Sequence, residues 1–270
     1  MNKYKQVNAI SKLLVGGFIL SVLVIISVLT SVAGYRLEWW RHPEAFSIFE
    51  WASYAAIVAI AFSITGLFKT RSQTKRWGWL LGFLAVVLSL PVIAATLIFE
   101  YTATAYPRIN DVTTDTQDPP SYWDVPNPIE YPGAAFADIQ LASYGDIKPL
   151  VLPVSAHQAF EKALQLVKNN GWEVLATDAD EGRIEAVESS FLFGFKDEIV
   201  LRIMPTDDGA IVDIRSRSRI GRIDRGANAR RIRDFINALK NTLTEASAGP
   251  GQVFSEPVKP TSISVILCEK

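Results

Sequence analysis

Hydrophobic positions follow two regimes along this chain. In the first hundred residues they run together: Leu13 to Val32, with the apolar run continuing to Tyr35, Trp51 to Phe68 and Trp77 to Phe99 hold no charged residue. At helical rise each run is long enough to cross a hydrocarbon core about 30 Å thick, which predicts three transmembrane helices. Beyond residue 105 the pattern breaks into short periodic pieces. Ala156, Ala159, Phe160, Ala163, Leu164 and Val167 recur at three- and four-residue steps, the signature of an amphipathic helix. Ser155 and Gln158 have capping-box spacing at its start, and Gly171 marks its stop. The period then shortens to two. Segments 172–177, 183–190, 198–204 and 210–216 are β-rich and separated by turns. Along them Ile199, Leu201 and Ile203 take one face against Glu198 and Arg202, and Val212 and Ile214 oppose Asp213, Arg215 and Arg217. A second amphipathic helix carries Ala229, Ile232, Ile236, Leu239 and Leu243 on its stripe, with Asp224 near its start.

The order helix, four strands, helix predicts an α+β domain: a two-layer sandwich in which a four-stranded antiparallel sheet carries both helices on one face and leaves the other charged. Four regions follow. Residues 1–105 form a membrane domain of three α-helices. Residues 106–133, with six prolines among Asp, Asn and Thr, form an extended connector. Residues 134–245 form the α+β domain, and the Ser-, Gly- and Pro-rich stretch 246–270 is a disordered tail.

Charge fixes a sidedness for this plan. Lys3, Lys5, Lys12, Lys69, Arg71, Lys75 and Arg76 flank the spans on one side, against Arg36, Arg41 and Arg108 on the other. That bias predicts a cytoplasmic N-terminus and, after three crossings, an extracytoplasmic or periplasmic C-terminal domain on the bacterial inner membrane. Trp39, Trp40, Trp51 and Tyr101 mark one interface and Trp77 and Trp79 the other. A cleavable signal peptide ending near Ser31-Val32-Ala33 is the rival reading of the first run, although its apolar core exceeds the usual length. Cys268 is the sole cysteine, so no intrachain disulfide is available. From residue 101 onward there are 18 basic and 24 acidic residues, a charge of −6, which argues against a nucleic-acid partner.

Most chemical motifs have a plainer explanation. Glu50 is the one ionisable residue near the interior of a span, and an interfacial position near Arg41 explains it better than proton handling beside Ser53, Tyr54 and Ser63. His157 lies two residues from Ser155 and so points to a different helix face. The acidic loop 178–182 lacks the remaining ligands of a calcium site, and neither a metal nor a cofactor is implied. Phe191, Phe193 and Phe195 form either an exposed apolar tip or a buried β extension.

One feature stands out from this background. Arg215, Arg217, Arg219, Arg222, Arg225, Arg230, Arg231 and Arg233 fall within nineteen residues. Gly221 and Gly226 bracket a loop entering the second helix, where guanidinium groups, Asn228 and backbone donors could hold phosphate or carboxylate. Internal pairing with Glu185, Glu188, Asp197, Glu198, Asp213 and Asp224 is the competing use of the same arginines. Four stretches, INDVTTDTQDPP at 109–120, GRIEA at 182–186, FGFKDE at 193–198 and DIRSRSRIGRIDRGANARRIRDF at 213–235, resemble the uncharacterised bacterial and plastid family called domain of unknown function 1499. Glu198 stands where an aspartate is usual in that family. The resemblance implies no activity, substrate or catalytic residue.

The leading functional expectation is a membrane-anchored extracytoplasmic binding or assembly module. It would recognise an anionic lipid or envelope component through Arg215, Arg217, Arg219, Arg222, Asn228, Arg230 and Arg231, with Lys196, Asp197 and Asp224 as secondary candidates. Two alternatives stay open. One is a hydrolase of phosphoester or glycosidic bonds using Asp197, Glu198 and Asp224 as acids or bases. The other is an accessory subunit of a transport or envelope-assembly complex. The lipid bilayer is the one partner implied directly, with protein partners or a homo-oligomer as further expectations.

Overall fold

The computed structural model describes residues 10–70 and 75–247. The expected tail lies outside the described residues after Ser247, as do Cys268, Lys3, Lys5 and Arg71. The chain divides into two compact units, Met1–Tyr101 and Thr102–Lys270.

The first unit is helical. Helices α1 (Lys12–Arg36), α2 (His42–Lys69) and α3 (Lys75–Ala105) are each long and apolar enough to cross a membrane. Helix α2 begins nine residues before the expected run because Pro43 opens it at the first turn, where the missing N–H is harmless. Glu50 therefore lies within the helix and accepts a hydrogen bond from the Tyr54 hydroxyl at 2.9 Å, while Arg41 pairs with Glu44. Small residues let the helices approach closely. A Cβ on Gly17 would come within 2.8 Å of the Ala59 carbonyl oxygen, and Gly17, Ser21, Ala52, Ala56, Ala59, Ser63 and Gly66 are buried, as expected where packing rather than water drives association. Ser53 Oγ and Thr96 Oγ1, 2.5 Å apart, join α2 to α3.

The second unit holds an antiparallel sheet of six strands rather than four: β1 (Asp111–Thr113), β2 (Leu150–Leu152), β3 (Glu173–Asp178), β4 (Arg183–Ser189), β5 (Lys196–Thr206) and β6 (Gly209–Ser218). The path runs β1-β6-β5-β4-β3, and β2 also pairs with β6. The two additional strands share one edge of β6, β1 opposite 215–217 and β2 opposite 210–212. Three residues are too few to show a period, so only their long-range pairing reveals them.

Helices α5 (Ala156–Asn169) and α6 (Ala227–Ser247) pack on one face of the sheet. Ala159, Phe160, Ala163 and Val167 of α5 and Ile232, Phe235 and Leu239 of α6 meet Ile184, Ile199, Leu201, Ile203, Val212 and Ile214. The α5 capping box is present: Ser155 Oγ accepts from the Gln158 N–H at 3.3 Å, and Gln158 Oε1 accepts from the Ser155 N–H at 3.3 Å. A further helix, α4 (Ala134–Tyr144), precedes them. It buries only Ala137, Gln140 and Tyr144, a stripe too narrow and too polar to stand out in the sequence. Gly182 ends the β3–β4 turn at φ +67, with the Ile203 carbonyl oxygen where a side chain would begin, so both conformation and space demand glycine.

Candidate functional site

The charged face of the sheet is covered. Segment 114–133, read from the sequence as part of an extended connector, crosses it as a strap, and the side chains that period two sends to that face meet the strap rather than water. Arg215 is 1% exposed. Its Nε and Nη2 donate to Asp111 Oδ1 and Oδ2 at 3.0 and 2.8 Å, a bidentate pair. Nη1 and Nη2 also donate to the carbonyl oxygens of Pro120 and Ile129 at 3.1 and 3.0 Å. Tyr122 and Tyr131 lie over its guanidinium, with ring centroids 4.7 and 5.6 Å away.

The same pattern repeats in neighbouring rows. Arg217 pairs with the fully buried Glu198 and donates to the Asn127 carbonyl at 3.0 Å, and Arg219 Nε reaches the other Glu198 oxygen at 2.9 Å. Arg202 links Asp213, Asp118 and Asp115. Arg183 Nη1 bridges Asp124 and Glu185 at 2.9 Å each, and Glu185, fully buried, accepts the backbone N–H groups of Trp123 and Asp124 at 2.7 and 2.9 Å. Burial raises the Tyr122 phenol well above its ordinary value, with the Asp111 charge adding to it. The same two causes push Tyr131 up to about 12.

Arg231 belongs to a different site. It lies on the helix-covered face, where its guanidinium pairs with Glu188 and Asp197 and donates to Ser216 Oγ and Asn228 Oδ1. Asn228 completes this buried cluster by donating to the Asn110 carbonyl and Ser218 Oγ, each at 3.0 Å. Asp224 is fully buried and accepts the backbone N–H groups of Gly226 and Asn228 at 2.9 Å. Burial pushes its carboxyl upward, opposed by those two hydrogen bonds.

The structure therefore divides the arginine block in three. Arg215 and Arg217 do not face outward, because strap carbonyls and sheet carboxylates enclose them. Arg231 and Asn228 brace α6 against the sheet. Arg222 and Arg230 are exposed, and Arg219 is partly so at 28% of its side chain. With exposed Arg108 and Lys196, Arg219 and Arg222 cluster at the sheet end where β1 begins. There the Arg219 N–H donates to the Lys196 carbonyl and Asn110 Nδ2 to the Gly221 carbonyl at 2.7 Å. Phe191, in the β4–β5 connection at the same end, is 78% exposed, whereas Phe193 and Phe195 are buried and stacked at 5.1 Å. The opposite end carries the acidic turns 178–182 and 206–209. Among the described residues no group of three His, Cys, Asp or Glu side chains converges as a metal site.

Residues 111–239 match the family described as protein of unknown function (DUF1499). This segment belongs to that family. The DUF1499 segment opens at Asp111, the partner of Arg215, so it takes in the strap as well as the sheet and helices. No curated protein matches the chain. Within the DUF1499 segment sequence reasoning passed over Asp111, Trp123 and Tyr122 as connector residues. Two signals were available: the family-like stretch 109–120, which holds Asp111, and two adjacent aromatics set among prolines, an unusual composition for a solvated linker.

Proposed function

We propose that the chain is a membrane-anchored binding or assembly module whose DUF1499 domain stands on the extracytoplasmic side of the bacterial inner membrane and meets the headgroups of anionic lipids. The supporting observation is that exposed Arg108, Lys196 and Arg222, partly exposed Arg219 and exposed Phe191 all lie at one end of the sheet. That end is joined to residues 109 and 110, only four or five residues after α3 ends at Ala105. The link can span at most about 3.6 Å per residue, and on this reading the basic, aromatic rim is within reach of the headgroups. Cations attract anionic headgroups there and an aromatic ring inserts among them. The basic bias around the spans supports the sidedness. The hydrolase reading draws less support, because Asp197, Glu198 and Asp224 are each engaged in internal ion pairs or backbone hydrogen bonds rather than facing a cleft.

Amide exchange on the full chain in nanodiscs tests the lipid reading. Segments 190–196 and 219–226 exchange more slowly when phosphatidylglycerol is mixed into phosphatidylcholine, and the slowing disappears in Arg219→Gln/Arg222→Gln and at high salt. Identical exchange in the two lipids rejects it. A membrane-impermeant thiol reagent labels Cys268 in intact spheroplasts if the sidedness holds; labelling confined to inverted vesicles reverses it.

A further inference from the structure

A second surface of the domain has the construction of a binding site. Beside Trp123 lies an open cleft of about 220 Å³, lined by Asp118, Pro120, Trp123, Glu181, Arg183 and Arg202 among others. Trp123 is 70% exposed, whereas Trp172 of the same unit is 7% exposed and stacks on Phe235. An exposed indole leaves a large apolar face in water, yet this one stands on a fixed support. The backbone N–H groups of Trp123 and Asp124 are held by buried Glu185, and the Arg183 guanidinium sits 5.4 Å from the Trp123 ring centroid. Prolines at 119, 120, 126 and 128 stiffen the chain on both sides. A contact surface ordered before binding loses little entropy when a ligand arrives.

The lining selects among ligand classes. An anion would meet the exposed carboxylates of Asp118 and Glu181, while Arg183 and Arg202 are already committed to carboxylates. A cation would find the carboxylates of Glu181 and Asp118 already paired with Arg183 and Arg202, whose guanidinium groups line the same cleft and repel it. A neutral polyhydroxylated ring meets neither obstacle: its C–H face covers the indole, its hydroxyls donate to the carboxylates, and the Ser121 hydroxyl can serve as donor or acceptor. The volume lies below the roughly 300–1,000 Å³ of pockets for drug-sized ligands and suits one sugar ring, with neighbouring units running over the open indole. We propose that this cleft is a saccharide-binding site for one unit of a neutral glycan chain, with Trp123 as its stacking platform. It lies toward the acidic end of the sheet, away from the basic rim, and stands independently of the lipid reading.

The test uses the full chain in a zwitterionic detergent that carries no sugar headgroup, titrated with cellotetraose and with tetra-N-acetylchitotetraose. Saturation-transfer NMR shows transfer to the ring C–H protons of at least one of them, and calorimetry gives its affinity. Trp123→Ala weakens that affinity by about tenfold or more, as truncation of a central aromatic contact does, while Trp123→Tyr retains most of it and both variants keep the wild-type unfolding transition. Binding that is unchanged in Trp123→Ala, or absent for both oligosaccharides, overturns the proposal. So does binding of choline in place of the saccharides, which would make the cleft a cation site.

Discussion

The two faces of one sheet are buried by opposite chemistry. On one face α5 and α6 cover aliphatic side chains, and apart from the cluster around Arg231 and Asn228 the contacts are apolar. On the other, the strap covers arginines and carboxylates, and apart from the small cluster of Tyr122, Val125 and Val200 the contacts are ion pairs and hydrogen bonds. The cover explains the difference. A helix has already used its backbone hydrogen bonds internally, so it offers its partner little except side chains. An irregular strap has not, and its unpaired carbonyls and N–H groups require partners when buried. Guanidinium groups with five donors each take the carbonyls of Asp118, Pro120, Asn127 and Ile129, and Glu185 takes the N–H groups of Trp123 and Asp124. The charged face is the complement of a non-periodic cover.

The contrast predicts unequal tolerance to substitution. Arg215→Met strands Asp111 and two carbonyls in a buried site and should destabilise the domain by about 3–5 kcal/mol in denaturant unfolding. Adding Asp111→Leu should recover more than about 1 kcal/mol, because no lone buried carboxylate then remains. On the apolar face the volume-conserving Leu201→Met should cost less than about 1.5 kcal/mol. Equal losses for Arg215→Met and Leu201→Met would remove the distinction between the faces.

A smaller effect probes where strap meets helix. Gln140 of α4 accepts from the Thr113 N–H at 3.0 Å and donates to the Thr113 carbonyl at 2.7 Å, standing in for a missing strand neighbour along β1. Gln140→Leu leaves both groups unpaired and should cost about 1–3 kcal/mol, with faster amide exchange at residue 113. A variant as stable as wild type would show that the β1 edge needs no such partner.

The smallest effect belongs to the exposed pair of Asp146 and Arg233, joined at 2.5 and 2.7 Å with side chains 58% and 38% exposed. The Arg233 hydrogen bonds hold the Asp146 carboxyl below its ordinary value of 3.8, partly offset by burial. Its contribution is therefore present above pH 3.8 and lost as pH falls through the lower folded value. Asp146→Asn should cost less than about 1 kcal/mol at neutral pH, and the two proteins should converge in stability under acid. A difference persisting below that range would assign the effect to packing instead.

Much of the fold was legible because it rests on local periodicity. The three apolar runs, the α5 cap at Ser155 and Gln158, and the alternation in β5 and β6 each follow from residues close in sequence, where backbone geometry alone decides which side chains share a face. Strand β1, strand β2 and helix α4 were not legible, since each depends on a partner about 60 to 110 residues away or on a single buried glutamine. The arginine block was visible as a concentration of charge but not as a division of labour. Period two places Arg215 and Arg217 on one face and leaves open whether that face meets solvent or another segment of the chain.

Residue order by itself determined the apolar runs long enough to cross a membrane, the antiparallel strands and the helix-bearing face, because hydrophobic period converts directly into side-chain direction. Tertiary structure alone decided that a proline-rich segment covers the charged face, that Arg215 is core while Arg222 is surface, and that Trp123 is exposed beside a cleft. These outcomes depend on which distant groups satisfy one another's hydrogen bonds once water is excluded, and no local pattern records that pairing.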